Sequence, residues 1–139
     1  MGYAFRKAIL LDNRESILPD LLEGASLDNV RSSILKRCWD EGDVVVRETL
    51  MEAARYLGIA AGNLITMLAP HTIVLGGGVC DALGEELLEV IQKNAKAHTF
   101  PHRSFEDTSI ELAQLGDDAV ALGAFEFARD RFQSESQED

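Results

Sequence analysis

Residues 72–79, TIVLGGGV, set three consecutive glycines, Gly76, Gly77 and Gly78, at the end of an apolar run. Ordering glycine loses more backbone entropy than ordering any other residue, so such a run calls for a tight turn at positive φ or for a group that approaches bare main chain. Nucleotides are one such group. A Walker-type loop would need Lys and then Ser or Thr after the last glycine, where this chain has Val79 and Cys80, and a dinucleotide fingerprint would place its third glycine where Asp81 stands. The helix expected next opens with Asp81, Glu85 and Glu86, carboxylates that already use the favourable helix N-terminus and would repel a triphosphate. The residues leave two readings open. A flat uncharged group, a purine ring or ribose, lies on Gly76, Gly77 and Gly78, or these glycines form a strand-to-helix turn with Gly77 and Gly78 at positive φ.

Other chemistry is sparse. A second glycine turn, LGDDAVALG at 115–123, offers Asp117 and Asp118, but an Asp at a helix start is first an N-cap, and a carboxylate stabilised there is a poor general base. His98 and His102 have the i,i+4 spacing of metal ligands, yet Pro101 between them breaks the helix that would align them. His71, after Pro70, reads as a surface residue. Cys38 and Cys80 lie 42 positions apart with no second Cys or His at ligand spacing, and read as buried free thiols of a reducing compartment. No catalytic residue and no metal ligand is assigned.

The elements that would position the glycines follow from periodicity. From Val44 to Leu68, apolar residues at spacings of three and four (Val46, Leu50, Ala54, Leu57, Ala61, Leu64) predict one helix about 37 Å long, ended by Pro70. Gly58 and Gly62, one turn apart, would each weaken an exposed helix by about 1 kcal/mol, so a close neighbour is expected against them. Upstream, Ser26 is the expected N-cap of a shorter helix carrying Val30, Ile34 and Cys38, with Gly42 as its stop. Ala4 to Leu11 and Ser16 to Leu22 read as short helices. The second half repeats itself weakly: Ile73–Leu75, glycines, ALG and a helix with Leu83, Leu87, Ile91 and Ala95 are echoed by Ile110–Leu115, Gly116, ALG and a helix with Ala121, Phe125, Ala128 and Phe132. Two strands joined through a helix should pair in parallel. A parallel sheet is normally larger and covered on both faces, so the reading is part of a larger α/β unit whose other strands come from sequence outside this chain, with a complete helical domain carrying a small sheet as the alternative.

The chain has 139 residues, 46% hydrophobic and 27% charged, enough for one core. Its net charge of −11 would repel nucleic acid and an anionic membrane surface, and no apolar stretch approaches the ~20 residues of a membrane span, so a cytoplasmic protein is expected. QSESQED, 133–139, has no apolar residue and is expected to be a disordered acidic tail behind a domain of 1–132.

Taken together, AARYLGIAAGNLITMLAPHTIVLGGGV followed by ELAQLGDDAVALGAF resembles the C-terminal half of the ROK family of sugar kinases and sugar-responsive repressors, over roughly Leu27 to Ala128. Ala69 stands where the family usually has Asn before Pro70. The resemblance implies part of an actin-like, ribonuclease H-like ATPase lobe, α/β, helix-rich with a small parallel sheet of two strands. It implies that Gly76, Gly77, Gly78 and Val79 contact the adenosine of ATP, whose Mg ion the full-length protein would hold. The family's Asp-x-Gly-x-Thr phosphate loop, catalytic Asp, second phosphate loop and Cys-rich zinc motif are not in this sequence, and Met1 is expected to fall just after that zinc motif. The expected function is therefore the C-terminal segment of a kinase acting on a hexose such as glucose or an N-acyl hexosamine. Alone it would be inactive and bind ATP no better than about 1 mM, near −4 kcal/mol. A homodimer is expected, with sugar bound only in the full-length protein. The alternatives are a non-catalytic oligomerisation or interaction module and a regulatory ROK protein.

Overall fold

The computed structural model describes residues 2–22, 24–27 and 30–135. Helix α1 (Gly2–Arg6) runs straight into a π-helical turn, Lys7–Leu11, and is followed by α2 (Leu18–Leu21), α3 (Ser32–Asp40) and α4 (Val44–Leu68). Then come β1 (Thr72–Leu75), α5 (Gly78–His98), α6 (Arg103–Glu106), β2 (Ser109–Leu112), a 3-10 turn (Gly116–Asp118) and α7 (Ala119–Glu135).

The long helix has the bounds its periodicity predicts, and its caps show why. Asp43 at the N-cap accepts from the Val46 N–H at 3.0 Å, and Ala69 adopts the left-handed conformation (φ 43°) to end the helix before Pro70. Asp43 is buried and also accepts from Ser16 Oγ and the Ile17 N–H, which pins the approach to α2 onto the start of α4. The shorter helix differs from expectation. It begins at Ser32, with Arg31 in extended conformation at its N-cap, so Ser26 does not cap it; Gly42 (φ 83°) does lie at its stop.

Helices α4 and α5 form the centre of the molecule. Leu50 and Ile65 of α4 and Leu83 and Ile91 of α5 are fully buried together with Phe5, Leu18 and Leu35 from the N-terminal helices. Gly58 and Gly62 are where the two helices touch: β-carbons there would lie 2.5 Å from the Ile91 carbonyl oxygen and 2.6 Å from that of Ala95. These glycines let main chain meet main chain.

Strands β1 and β2 pair in parallel, with Ile73 opposite Ile110 and Leu75 opposite Leu112, and α5 and α6 make the crossover. Leu75 and Ile110 are buried on the face that α5 covers, where Gly84 admits the Leu112 side chain. The opposite face stays open, with Val74 63% exposed. Helix α7 extends to Glu135, three residues into the segment expected to be a disordered tail; residues 136–139 lie outside the described residues. Val120, Phe125 and Phe127 on α7 are exposed.

Candidate functional site

Both glycine turns emerge at the C-terminal end of the two parallel strands, the end at which open α/β sheets bind ligands. Leu75 is the last buried residue of β1, and Gly76, Gly77 and Gly78 after it are all exposed. Each has its own reason to be glycine. Gly77 sits at φ 102°, ψ 161°, a region essentially reserved for glycine, and serves as the N-cap of α5, its carbonyl accepting from the Asp81 N–H at 3.0 Å. A β-carbon on Gly76 would be 3.2 Å from that of Ala113, just past β2, and one on Gly78 would be 3.2 Å from Ser32 Oγ at the start of α3. Only Gly77 of the expected pair has positive φ; Gly78 already belongs to the helix. Turn geometry and close approach therefore coexist in the loop. Val79 is half-buried and packs against the core, anchoring the loop from behind.

Two cavities that share Lys36, Asp81 and Ala82 lie near the loop, and Gly78 lines the smaller of them. The smaller, about 390 Å³, is lined by Ser32, Ser33, Lys36, Gly78, Asp81 and Ala82. The larger, about 840 Å³, continues past Lys36, Cys80 and Asp81 to Gln114 and Gly116 of the second turn, a size in the range of small-molecule sites. Their charge is lopsided. Among the described residues lining them, Lys36 is the only cation, against Asp81, Glu85, Glu86 and Glu111. Lys36 is already engaged, its Nζ lying 2.8 Å from Glu86 and 3.0 Å from Asp40. The hydrogen bond to Glu86 leads the causes that raise the Lys36 pKa, and the same bond holds the Glu86 carboxyl below its ordinary value. Such walls disfavour a triphosphate and leave room for its uncharged portion.

The other candidates fall apart spatially. His98 ends α5, with Nδ1 2.8 Å from the Asn94 carbonyl, whereas His102 lies beyond the cis Phe100–Pro101 bond at the start of α6. His71 is exposed near Ser104 and Asp107, at the opposite end of the strands from the glycines. Among the described residues, no group of three or more His, Cys, Asp or Glu is arranged to hold a metal ion. Both cysteines are free. Cys38 is buried and its thiol is pushed up to about 11 by burial; Cys80 is only half-buried, contrary to expectation, and lines the larger cavity. Asp118 lies in the 3-10 turn; the side chain of Asp117 is outside the described residues. Sequence reasoning missed Ser32, Lys36 and Gln114 as walls of the site. The i,i+4 spacing of Lys36 and Asp40 was visible, but the bond to Glu86, 50 positions away, was not.

Comparison with known proteins gives this arrangement a context. The model of the ROK family matches residues 5–131. A glucokinase of Halalkalibacterium halodurans is 37% identical over 84 residues, 60% of this chain and 25% of the relative. A xylose repressor of Caldicellulosiruptor bescii is 29% identical over 98 residues, 70% of this chain and 24% of the relative. A glucokinase of Streptomyces coelicolor is 27% identical over 128 residues, 92% of this chain and 40% of the relative. A crystal structure assigned as a sugar kinase from Cytophaga hutchinsonii superposes with a TM-score of 0.69 at 20% identity, over 91% of this chain and 40% of that one. The fold is thus that of part of an actin-like ATPase lobe, and the chain spans 40% or less of the length of these relatives.

Proposed function

The chain belongs to the ROK family, and on that premise we propose that it forms the adenosine side of the ATP site of a ROK-type sugar kinase. Gly76, Gly77, Gly78 and Val79 offer main chain to the nucleoside, and the cavities beside them hold base and ribose. The observation that carries this reading is the exposure of all three glycines at the C-terminal end of both strands, with Gly78 lining a cavity of about 390 Å³ that shares Lys36, Asp81 and Ala82 with an acidic-walled space of about 840 Å³. An acidic wall accepts ribose hydroxyls as hydrogen-bond donors, while the phosphates point away from it toward groups supplied by other ROK sequence. In-line phosphoryl transfer needs a phosphate cradle, a metal held by carboxylates and a base for the sugar hydroxyl. The described residues assemble none of these, so the segment alone is inactive. Hexoses and N-acyl hexosamines are the substrates of the complete protein in this reading, and the glucokinase relatives support the hexose.

Calorimetry and amide chemical shifts test it. ATP and adenosine should bind the isolated chain with dissociation constants no tighter than about 1 mM, and adenosine nearly as well as ATP, with shifts centred on Gly76–Val79 and Gln114–Gly116. Micromolar ATP binding, or shifts centred elsewhere, would remove this reading. A second reading, an interaction module with no nucleotide, is favoured by the exposed apolar side chains of α7, Val120, Phe125 and Phe127. It predicts concentration-dependent self-association and no adenosine response.

A further inference from the structure

The second glycine turn is tied to the first. The Ala113 N–H donates to the Leu75 carbonyl at 2.7 Å, and a β-carbon on Gly76 would lie 3.2 Å from that of Ala113. Continuing the register in which Leu75 faces Leu112 sets Gln114 abreast of Gly77, just ahead of the 3-10 turn. Gln114 is exposed on the wall of the larger cavity, and its side chain has no hydrogen-bond partner among the described residues. The charged walls around it are one-sided. Asp81, Glu85, Glu86 and Glu111 carry carboxylates, which only accept hydrogen bonds, and Lys36, which only donates, already lies on Glu86 and Asp40. Neither kind can read adenine alone, because the N6–H2 donor of that base adjoins a ring-nitrogen acceptor. A carboxamide presents a carbonyl and an NH2 side by side and meets both. Among the described residues lining the two cavities, Gln114 carries the one carboxamide.

We propose that Gln114 is the residue that reads the base. With ribose over Gly78, the purine passes the wall shared by Lys36, Asp81 and Ala82 and enters the larger cavity. There the Gln114 carbonyl accepts from the adenine N6–H2, and the Gln114 NH2 donates to the adjoining ring nitrogen. The inference rests on the nucleoside seat proposed above and adds to it what selects the base. Selection follows from what each misfit leaves unpaired. A purine without its 6-amino group gives the Gln114 carbonyl nothing to accept. Guanine carries two neighbouring donors, N1–H and N2–H2, which suit a carboxylate, so an acidic side chain at position 114 turns the preference toward guanine.

The test titrates the chain with AMP, GMP and purine riboside 5′-monophosphate, which lacks the 6-amino group, and follows amide shifts at Gly76–Val79. The wild type should bind AMP about three- to tenfold more tightly than purine riboside monophosphate, the worth of one partly exposed hydrogen bond. In Gln114→Ala that difference should vanish, with both nucleotides binding as the wild type binds the purine riboside. In Gln114→Glu the ratio of AMP to GMP affinity should fall about tenfold or more below its wild-type value, since adenine loses its donor and guanine gains a two-acceptor partner. The added charge repels all three nucleotides alike, so the ratio is the readout. Because Gln114 is exposed and makes no bond in the fold, both variants should keep the wild-type unfolding midpoint. Equal binding of AMP and purine riboside monophosphate by the wild type, discrimination that survives in Gln114→Ala, or an AMP to GMP ratio unmoved in Gln114→Glu would overturn the proposal. Should AMP shift Gly76–Val79 while these ratios stay flat, the nucleoside seat stands and only the role of Gln114 falls. Should none of the three nucleotides shift those amides, the seat falls and the role of Gln114 with it.

Discussion

A β-carbon at Gly58 would lie 2.5 Å from the carbonyl oxygen of Ile91, closer than any real pair of such atoms, so α4 and α5 are in main-chain contact through the glycine. Because the obstruction is backbone, no rotamer change relieves it. Gly58→Ala should therefore destabilise the protein by about 2–3 kcal/mol in urea unfolding, although alanine in a helix is intrinsically favoured by about 1 kcal/mol. Gly84→Ala should do less harm, since its close neighbour is the tip of the Leu112 side chain. Gly123, in the exposed helix α7 with nothing within 4 Å, should show the opposite sign: Gly123→Ala stabilises α7 by about 0.5–1 kcal/mol. Equal effects at Gly58 and Gly123 would contradict this packing.

Asp43 holds three donors at once, the Val46 and Ile17 N–H groups and the Ser16 hydroxyl, from a buried position. Asp43→Ala removes a helix cap and leaves buried donors unpaired, an expected loss of about 2–4 kcal/mol by denaturant unfolding. Asp43→Asn keeps one acceptor oxygen and should lose less. A loss no larger than that of an exposed carboxylate such as Glu48 would show that the junction of α2 and α4 is not held here.

Cys38 supplies a pH signature. Burial raises its thiol from 9.0 to about 11, so the folded state keeps a proton that the unfolded chain releases. Stability from this group is complete below pH 9 and declines as pH rises toward 11, by a total of about 2–3 kcal/mol. Cys38→Ala creates a small cavity and lowers stability at all pH values, but its stability should fall less between pH 9 and 11 than that of the wild type. Parallel pH profiles would contradict the assignment.

Much of this architecture was legible in the chain, for reasons that mark where legibility ends. The bounds of α4 were readable because the apolar stripe and Pro70 are local signals, and Gly58 and Gly62 announced a close neighbour because exposed glycine in a helix is unfavourable. The parallel pair was readable because each strand is a short apolar run closed by glycine. Ser26 misled as a cap because a serine before an apolar pattern is common, and the chain instead delays the helix to Ser32, whose hydroxyl lies over Gly78. The walls of the site, Lys36 on Glu86 and the Gln114 turn, join residues far apart in sequence. Such contacts carry no periodicity.

Gly78 offers the cleanest probe of the proposed nucleoside seat. Gly77 is a poor one: at φ 102° any side chain strains the backbone, so loss of binding in Gly77→Ala could simply reflect a displaced loop. Gly78 is helical, and the methyl of Gly78→Ala would meet Ser32 Oγ at 3.2 Å, a contact that a small rotation of the Ser32 side chain about χ1 accommodates. Stability should change by less than about 1 kcal/mol, since alanine favours the helix while the contact opposes it. The same methyl projects into the cavity shared by Ser32, Lys36 and Asp81, where the base or ribose is proposed to lie. Adenosine binding, followed by amide shifts at Gln114–Gly116, should weaken several-fold while the unfolding midpoint barely moves. Unchanged binding in a folded Gly78→Ala variant would mean that the bare backbone serves only the turn.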